Sequence, residues 1–189
     1  MKIAAVIIAG GKSSRMGRDK ALVEVAGRPV IRWIADRIAP QVASLAINAN
    51  DDRLAFLGFP VISDISHDIG TPLAGVQAGL SWAKAKGFDA VLTVPSDSPF
   101  LPLDLVARLA GQGPAIAASG EQRHFLTGLW PIRLLDVLES NAPRRVQDFA
   151  RQVSARVVEW PIEPYDPFFN INTPDDLAEA SRIAEEFIP

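Results

Sequence analysis

The 189-residue sequence contains no cysteine, which removes disulfides, thiol nucleophiles, iron–sulfur clusters and zinc sites built on sulfur. Histidine is nearly as scarce, with only His67 and His124, too few for a histidine-rich metal centre. An excess of one charge is missing as well: 19 basic and 22 acidic side chains leave a formal net charge of -3. With no lysine or arginine block to offset it, that balance argues against a nucleic-acid binder. It leaves room for a small phosphorylated ligand. The longest apolar run, Ile3 to Ala9, falls far short of the roughly 20 residues a membrane-spanning helix needs. Met1-Lys2 before that run imitates the start of a signal peptide. The Gly10-Gly11-Lys12-Ser13-Ser14-Arg15 that follows is polar and basic, with no small-residue cleavage site. A cytoplasmic enzyme or binding protein is expected.

What is present is a chain with 48% apolar and 22% charged residues, too apolar and too nearly neutral to be disordered throughout. Its length suits one domain, in which folding buries roughly 70% of the extended surface. Ile3 to Ala9 shows no alternation and is rich in β-branched residues, the pattern of a central strand buried on both faces. Pro29 suits the first turn of a helix whose apolar positions Val30, Ile31, Ile34, Ala35 and Ile38 follow helical spacing. Strands are expected at Ser44–Asn48, Pro60–Ser63, Ala90–Val94 and Ala115–Ala118, with helices at Leu73–Lys86 and Asp104–Leu109. Further on, strands are expected at Thr127–Trp130, Ser154–Trp160 and Phe168–Ile171, and helices at Ile132–Leu138 and Val146–Gln152. A closing helix starts at Pro174, with Thr173 as its cap and Asp175 and Asp176 in the first turn. Strand–helix alternation with short connections predicts a single-domain α/β fold: a Rossmann-like three-layer α/β/α arrangement around a mainly parallel central sheet.

Three polar segments stand at predicted strand ends, where such a sheet places its ligand crevice. The first, Ala9-Gly10-Gly11-Lys12-Ser13-Ser14-Arg15-Met16-Gly17-Arg18-Asp19-Lys20, combines glycines that let amides face an anion with hydroxyl and cationic groups suited to a triphosphate. Its spacing is neither a Walker A loop nor a GxGxxG fingerprint. The second, Pro95-Ser96-Asp97-Ser98-Pro99, offers a carboxylate able to hold magnesium against nucleotide phosphates. Asp97 is also explained as a simple helix or turn cap. The third, Asn170-Ile171-Asn172-Thr173-Pro174-Asp175-Asp176-Leu177, puts Asn170 and Asn172 on one side if the segment is extended. Its second half is equally well explained as a helix start.

With Asn48-Ala49-Asn50 and Pro72-Leu73-Ala74-Gly75 added, these segments occur in order along nearly the whole chain. Together they resemble the molybdenum cofactor guanylyltransferases, within the superfamily that includes the sugar-phosphate nucleotidyltransferases. The resemblance implies a magnesium-dependent transferase that moves GMP from GTP to the terminal phosphate of the molybdenum–molybdopterin cofactor, forming the guanine dinucleotide cofactor and releasing pyrophosphate. It implies one domain over residues 1–189, with a nucleotide-binding half to about residue 100 and an acceptor-binding half beyond it. Arg15, Lys20 and Asp97 would act in catalysis, and Asp97 would bind Mg2+. Ala9, Gly10 and Gly11 would belong to the nucleotide loop, Asn50, Leu73 and Gly75 would line the base and ribose region, and Asp68 would lie at its edge. Arg144 and Arg145, His124, Asn170 and Asn172 would serve the acceptor side.

The family's His-Pro-Thr segment is altered here to His124-Phe125-Leu126-Thr127, a departure that touches the acceptor more than the nucleotide. Expected partners are GTP, the molybdopterin acceptor and transient contacts with cofactor-insertion or molybdoenzyme chaperone proteins, with no nucleic acid and no membrane. Two alternatives stay open. One is a related nucleotidyltransferase using CTP or another phosphorylated acceptor, and the other is a non-catalytic nucleotide-binding protein.

Overall fold

The computed structural model describes residues 1–10, 20–65, 71–141 and 143–188, with Lys20 entering through its backbone alone. In chain order the elements are β1 (Ile3–Ile8), β2 (Glu24–Val25), β3 (Arg28–Pro29), α1 (Val30–Ile38), β4 (Ser44–Asn48) and β5 (Val61–Ile62). Then come α2 (Pro72–Ala85), β6 (Ala90–Pro95), α3 (Leu105–Leu109), β7 (Ala115–Ser119) and β8 (Gln122–Pro131). The chain closes with α4 (Leu135–Asn141), α5 (Val146–Gln152), β9 (Arg156–Trp160) and α6 (Pro174–Phe187).

Seven strands form one sheet in the order β5-β4-β1-β6-β8-β7-β9. β1 pairs in parallel with both β4 and β6, and β4 in parallel with β5. β8 runs antiparallel to β6 and to β7, and β9 is parallel to β7. Six strands therefore share a direction and β8 alone opposes them. All six residues of β1 are buried, because the central strand is covered on both faces. Ile3, Ala5 and Ile7 join one apolar cluster with α1, α3 and α6, while Ala4, Val6 and Ile8 join another with α2, α4 and α5. The period of two in side-chain direction splits each strand between two cores, and the three-layer α/β/α architecture follows.

Helix α1 buries Val30, Ile31, Ile34, Ala35 and Ile38, the five positions its spacing predicts. On α2 the small residues allow close approach to the sheet: a Cβ on Gly79 would lie 3.2 Å from Val6 Cγ2. Thr173 caps α6 reciprocally with Asp176, whose backbone N–H donates to Thr173 Oγ1 at 3.1 Å while its carboxylate accepts from Thr173 N at 2.8 Å. A capping box of this kind contributes roughly 1 kcal/mol.

Three expectations change, and one element is new. Phe168–Ile171 is not a strand. Phe168 and Ile171 are buried from within a loop, where Phe168 packs against the rings of His124 and Trp160. Burial drives the apolar residues inward there without ladder pairing. The strand expected at Thr127–Trp130 is longer, Gln122–Pro131, and antiparallel. The helix expected at Ile132–Leu138 divides into a 3-10 turn, Ile132–Leu134, and α4. The short hairpin β2–β3 was not expected. Its two-residue turn holds Ala26 and Gly27 at φ of 50° and 73°, the geometry whose twist suits a tight hairpin.

Candidate active site at the carboxyl edge of the sheet

From β1 the chain passes outward to β4 and β5, then returns to place β6 on the other side of β1. The boundary between β1 and β6 is thus the point where strand order reverses, and the carboxyl ends of those strands border a crevice suited to ligands. Register brings the relevant residues level: Ile8 stands opposite both Asn48 in β4 and Pro95 in β6. Ala9, buried, continues the ladder by donating to Asn48 O at 2.9 Å. Its carbonyl accepts from Arg53 Nη2 at 2.8 Å. The backbone is therefore held on both sides just before Gly10, where the glycine-rich loop departs.

Asn48 is buried, and its amide nitrogen donates to Ile62 O at 3.2 Å and to Asp64 Oδ1 at 3.0 Å. Its oxygen faces Gly75: a Cβ there would lie 2.5 Å from Asn48 Oδ1 and 2.9 Å from Ile8 Cγ2. Gly75 is thus required by close approach, and with buried Leu73 it backs this corner of the site. Asn50 is exposed, and its Nδ2 donates to Asp64 Oδ2 at 3.0 Å.

On the other flank Asp97 is half-buried in the turn after β6. The backbone N–H of Ile171 donates to Asp97 O at 2.9 Å, which ties the third polar segment to the second. Asn170 accepts from the Ser98 hydroxyl. Asn172 is exposed, and its N–H donates to Asp176 Oδ2 at 2.8 Å. The strand periodicity expected to align Asn170 and Asn172 is absent, and the backbone bond from Ile171, which lies between them, ties the segment to Asp97 instead. Gly11, Arg15 and Asp68 lie outside the described residues, as does the Lys20 side chain.

Among the acceptor-side candidates, Arg144 and Arg145 are exposed before α5, and Arg145 Nε donates to Asp148 Oδ2 at 3.0 Å. α4 starts just after the end of β8, and α5 ends just before the start of β9. Both of those points lie at the amino edge of the parallel strands, so the turn carrying the two arginines lies toward the opposite edge. His124 is buried, its Nε2 2.8 Å from Ser119 Oγ and its ring stacked on Phe168 with centroids 4.5 Å apart. Burial pushes its pKa below the ordinary value of 6.5, and the charge of Asp166 opposes that only in part. The imidazole is therefore neutral at pH 7.

Asp64 and Arg53 are the residues that motif reading passes over. The signal for Asp64 was available, because like Asp97 it is a carboxylate just past the carboxyl end of a strand. Arg53 carries no such signal, since its role depends on a contact with Ala9. An open groove of about 880 Å³ runs between α1, the end of β9 and α6, past Trp33, Phe100, Trp160 and Tyr165. It is lined by none of the residues nominated above.

A doubly wound α/β sheet with glycine, asparagine and aspartate gathered at its switch point defines a nucleotide-handling domain. The chain belongs to the MobA-like NTP transferase domain family, whose model matches residues 5–158. It is 48% identical to a molybdenum cofactor guanylyltransferase of Rhodopseudomonas palustris, with 95% of this chain and 93% of that one covered. It is 43% identical to the protein of the same name from Rhodobacter capsulatus, covering 95% of each. Among solved structures, molybdopterin-guanine dinucleotide biosynthesis protein A of Archaeoglobus fulgidus superposes with a TM-score of 0.73 over 99% of this chain and all of the other, at 24% identity. A CMP:2-keto-3-deoxy-manno-octonic acid synthetase complexed with CTP shares the fold at a TM-score of 0.77 and 14% identity, over 99% of this chain and all of that one. The protein is a nucleotidyltransferase by family. Among the described residues no helix is long and apolar enough to cross a membrane.

Proposed function

We propose that this protein transfers GMP from GTP to the terminal phosphate of a molybdopterin-type acceptor and releases pyrophosphate. The observation that carries the reading is the joining of three polar segments at one sheet edge: the register between Ile8, Asn48 and Pro95, and the Ile171 N–Asp97 O bond. The names of relatives that cover almost the whole chain supply the guanine and the molybdenum cofactor.

An oxygen of the acceptor phosphate attacks the α-phosphorus in line. The new P–O bond forms as the bond to the β-phosphate breaks, and pyrophosphate leaves with the electron pair. An ionised phosphate nucleophile needs no general base, which agrees with His124 being buried against Phe168. The work left to the protein is alignment and charge neutralisation. Lys20 and Arg15 are assigned to the phosphates, and at an effective dielectric of ~20 an opposite pair ~4 Å apart interacts by ~4 kcal/mol.

Asp97 is the residue that would hold magnesium. Among the described residues no group of three or more histidine, aspartate or glutamate side chains is arranged for a metal. One carboxylate beside nucleotide phosphates is nevertheless the donor set magnesium commonly uses. When bound, the ion supplies positive charge against the triphosphate.

The test is magnesium-dependent pyrophosphate release from GTP, CTP, ATP and UTP with molybdopterin cofactor supplied, beside a Lys20→Ala variant. Release restricted to GTP and lost in the variant is the expected result. Preference for CTP would change the donor and the product. No turnover with any triphosphate, from folded protein and competent acceptor, would leave a non-catalytic nucleotide binder.

A further inference from the structure

The groove of about 880 Å³ between α1, the end of β9 and α6 is lined by none of the residues assigned to donor or acceptor, and its size suits a small organic ligand. We propose that it is a separate binding site for a small aromatic carboxylate, whose ring packs among Trp33, Phe100 and Tyr165 and whose charge meets the Arg37 guanidinium.

Four rings follow one another along the groove. Centroids lie 6.2 Å apart from Trp33 to Phe100, 5.8 Å from Phe100 to Tyr165 and 5.8 Å from Tyr165 to Phe187. Phe100 is buried, whereas Trp33, Tyr165 and Phe187 keep part of their surface open. Edge-to-face contacts at these separations are favourable ring packing, so the row forms a firm apolar floor. The Trp33 indole N–H donates to Val25 O at 3.1 Å and the Trp160 N–H donates to Asp104 Oδ1 at 3.0 Å. With their donors committed, both tryptophans offer apolar surface to a ligand, and polar recognition falls to the charged groups.

Three arginines stand at these rings, and two of them have a carboxylate. Arg28 lies over Trp33 and pairs with Asp36, while Arg108 lies over Trp160 with its Nη1 3.8 Å from Asp104 Oδ2. Arg37 has no carboxylate partner among the described residues. Its Nη1 donates to Leu101 O at 3.2 Å and it neighbours Tyr165, which uses only part of its donor fork. Burial disfavours its charge, and Tyr165 offsets that only in part, yet a guanidinium stays protonated. A half-buried cation without a counter-ion is costly, and a carboxylate placed against the fork relieves that cost. Helix α1 sets the spacing. Trp33 and Arg37 are four residues apart, so they share a face with Cβ atoms roughly 5–6 Å apart. A ring against Trp33 reaches Arg37 with a carboxylate held one or two carbons away, as in an arylacetate or arylpropionate. Asp36, Asp104 and Glu163 around the same groove repel a polyanion such as a nucleoside triphosphate, so a single negative charge is the one that fits.

The experiment is titration calorimetry of phenylacetate, phenylpropionate and indoleacetate, each beside its neutral carboxamide, on the wild type, R37M and R37K. NMR of the indole N–H groups locates the probe through the Trp33 signal, and melting temperature establishes that each variant is folded. The wild type is expected to bind at least one acid roughly tenfold tighter than its amide, the scale of one charge-assisted contact, and to shift the Trp33 signal. R37M is expected to abolish that preference, and R37K, which keeps the charge without the fork, to retain part of it. The comparison of acid with amide on the wild type decides the matter even if R37M does not fold. No binding of any acid, equal binding of acid and amide, or a preference that survives in R37M would overturn the proposal. Displacement of the probe by magnesium and GTP would make the groove part of the substrate site and overturn it too. So would Trp33 shifts that follow protein concentration without any probe, because a second copy of the chain would then cover the groove.

Discussion

The two sides of the sheet are built differently. From β5 through β4 and β1 to β6 every neighbour is parallel, and the strand ends deliver their polar residues to one edge. Beyond β6 lies the antiparallel β8, with β9 as a short, largely exposed edge strand. On the first side, the proposed donor site hangs on backbone register. On the second, His124, Phe168 and the Asn170–Asn172 segment are placed by ring packing, by a backbone bond to Asp97 and by the Ser98 hydroxyl on Asn170. Donor chemistry is therefore expected to fail sharply when one residue changes, and acceptor handling to degrade by steps.

The largest effect that could break this contrast is on turnover. Asp97→Asn is expected to lower kcat by on the order of 10²-fold or more, with the fold intact. Arg145→Ala, whose side chain is exposed and paired with Asp148, is expected to raise the acceptor KM and leave nucleotide binding unchanged. Steady-state kinetics with each substrate varied in turn separates the two. A small loss of kcat in Asp97→Asn would remove Asp97 from the chemistry.

Next come two glycines, one on each side. A Cβ on Gly75 would sit 2.5 Å from Asn48 Oδ1, and one on Gly128 would sit 2.5 Å from Trp130 Cζ2 and 3.1 Å from Ala115 O. Trp130 is fully buried and its indole N–H donates to Thr93 Oγ1 at 2.9 Å, so neither neighbour yields easily. Alanine at either position is expected to cost about 1–3 kcal/mol in chemical denaturation. Only Gly75→Ala is expected to weaken nucleotide binding as well, because Asn48 borders the proposed donor site. Loss of binding in both would mean that the two sides do not act separately.

The smallest effect is in pH. His124 titrates below its unfolded value because burial disfavours the imidazolium. Its stabilising contribution is complete above pH ~6.5 and is lost as pH falls from there through the folded pKa, since the unfolded chain takes up the proton first. His124→Phe, which retains a ring against Phe168, is expected to flatten that stretch of the melting-temperature profile. An unchanged slope would assign the acid sensitivity to other groups.

The same division governs what the sequence made legible. Buried parallel strands read as unbroken apolar runs, which is why β1, β4 and β6 and the polar residues after them were recognisable. The amphipathic α1 and the Thr173 cap of α6 were recognisable because their patterns are local. The loop at Phe168–Ile171 reads as a strand because Phe168 is buried against partners distant in sequence, His124 and Trp160, and local pattern does not distinguish that from strand burial. β8 was shortened because its first residues, Gln122 and Arg123, are exposed and give no apolar signal. Asp64 carries the same strand-end signal as Asp97, but its bonds to Asn48 and Asn50 join separate segments and no local pattern displays them.

The most direct single measurement is a crystal structure with magnesium and a non-hydrolysable GTP analogue. Nucleotide density at the carboxyl ends of β1 and β6, its base and ribose against Asn50 and Gly75 and its phosphates toward Gly10 and Asp97, is the expected result. Nucleotide seated instead in the aromatic groove between α1 and α6, with the β1–β6 edge empty, would contradict the assignment of the active site.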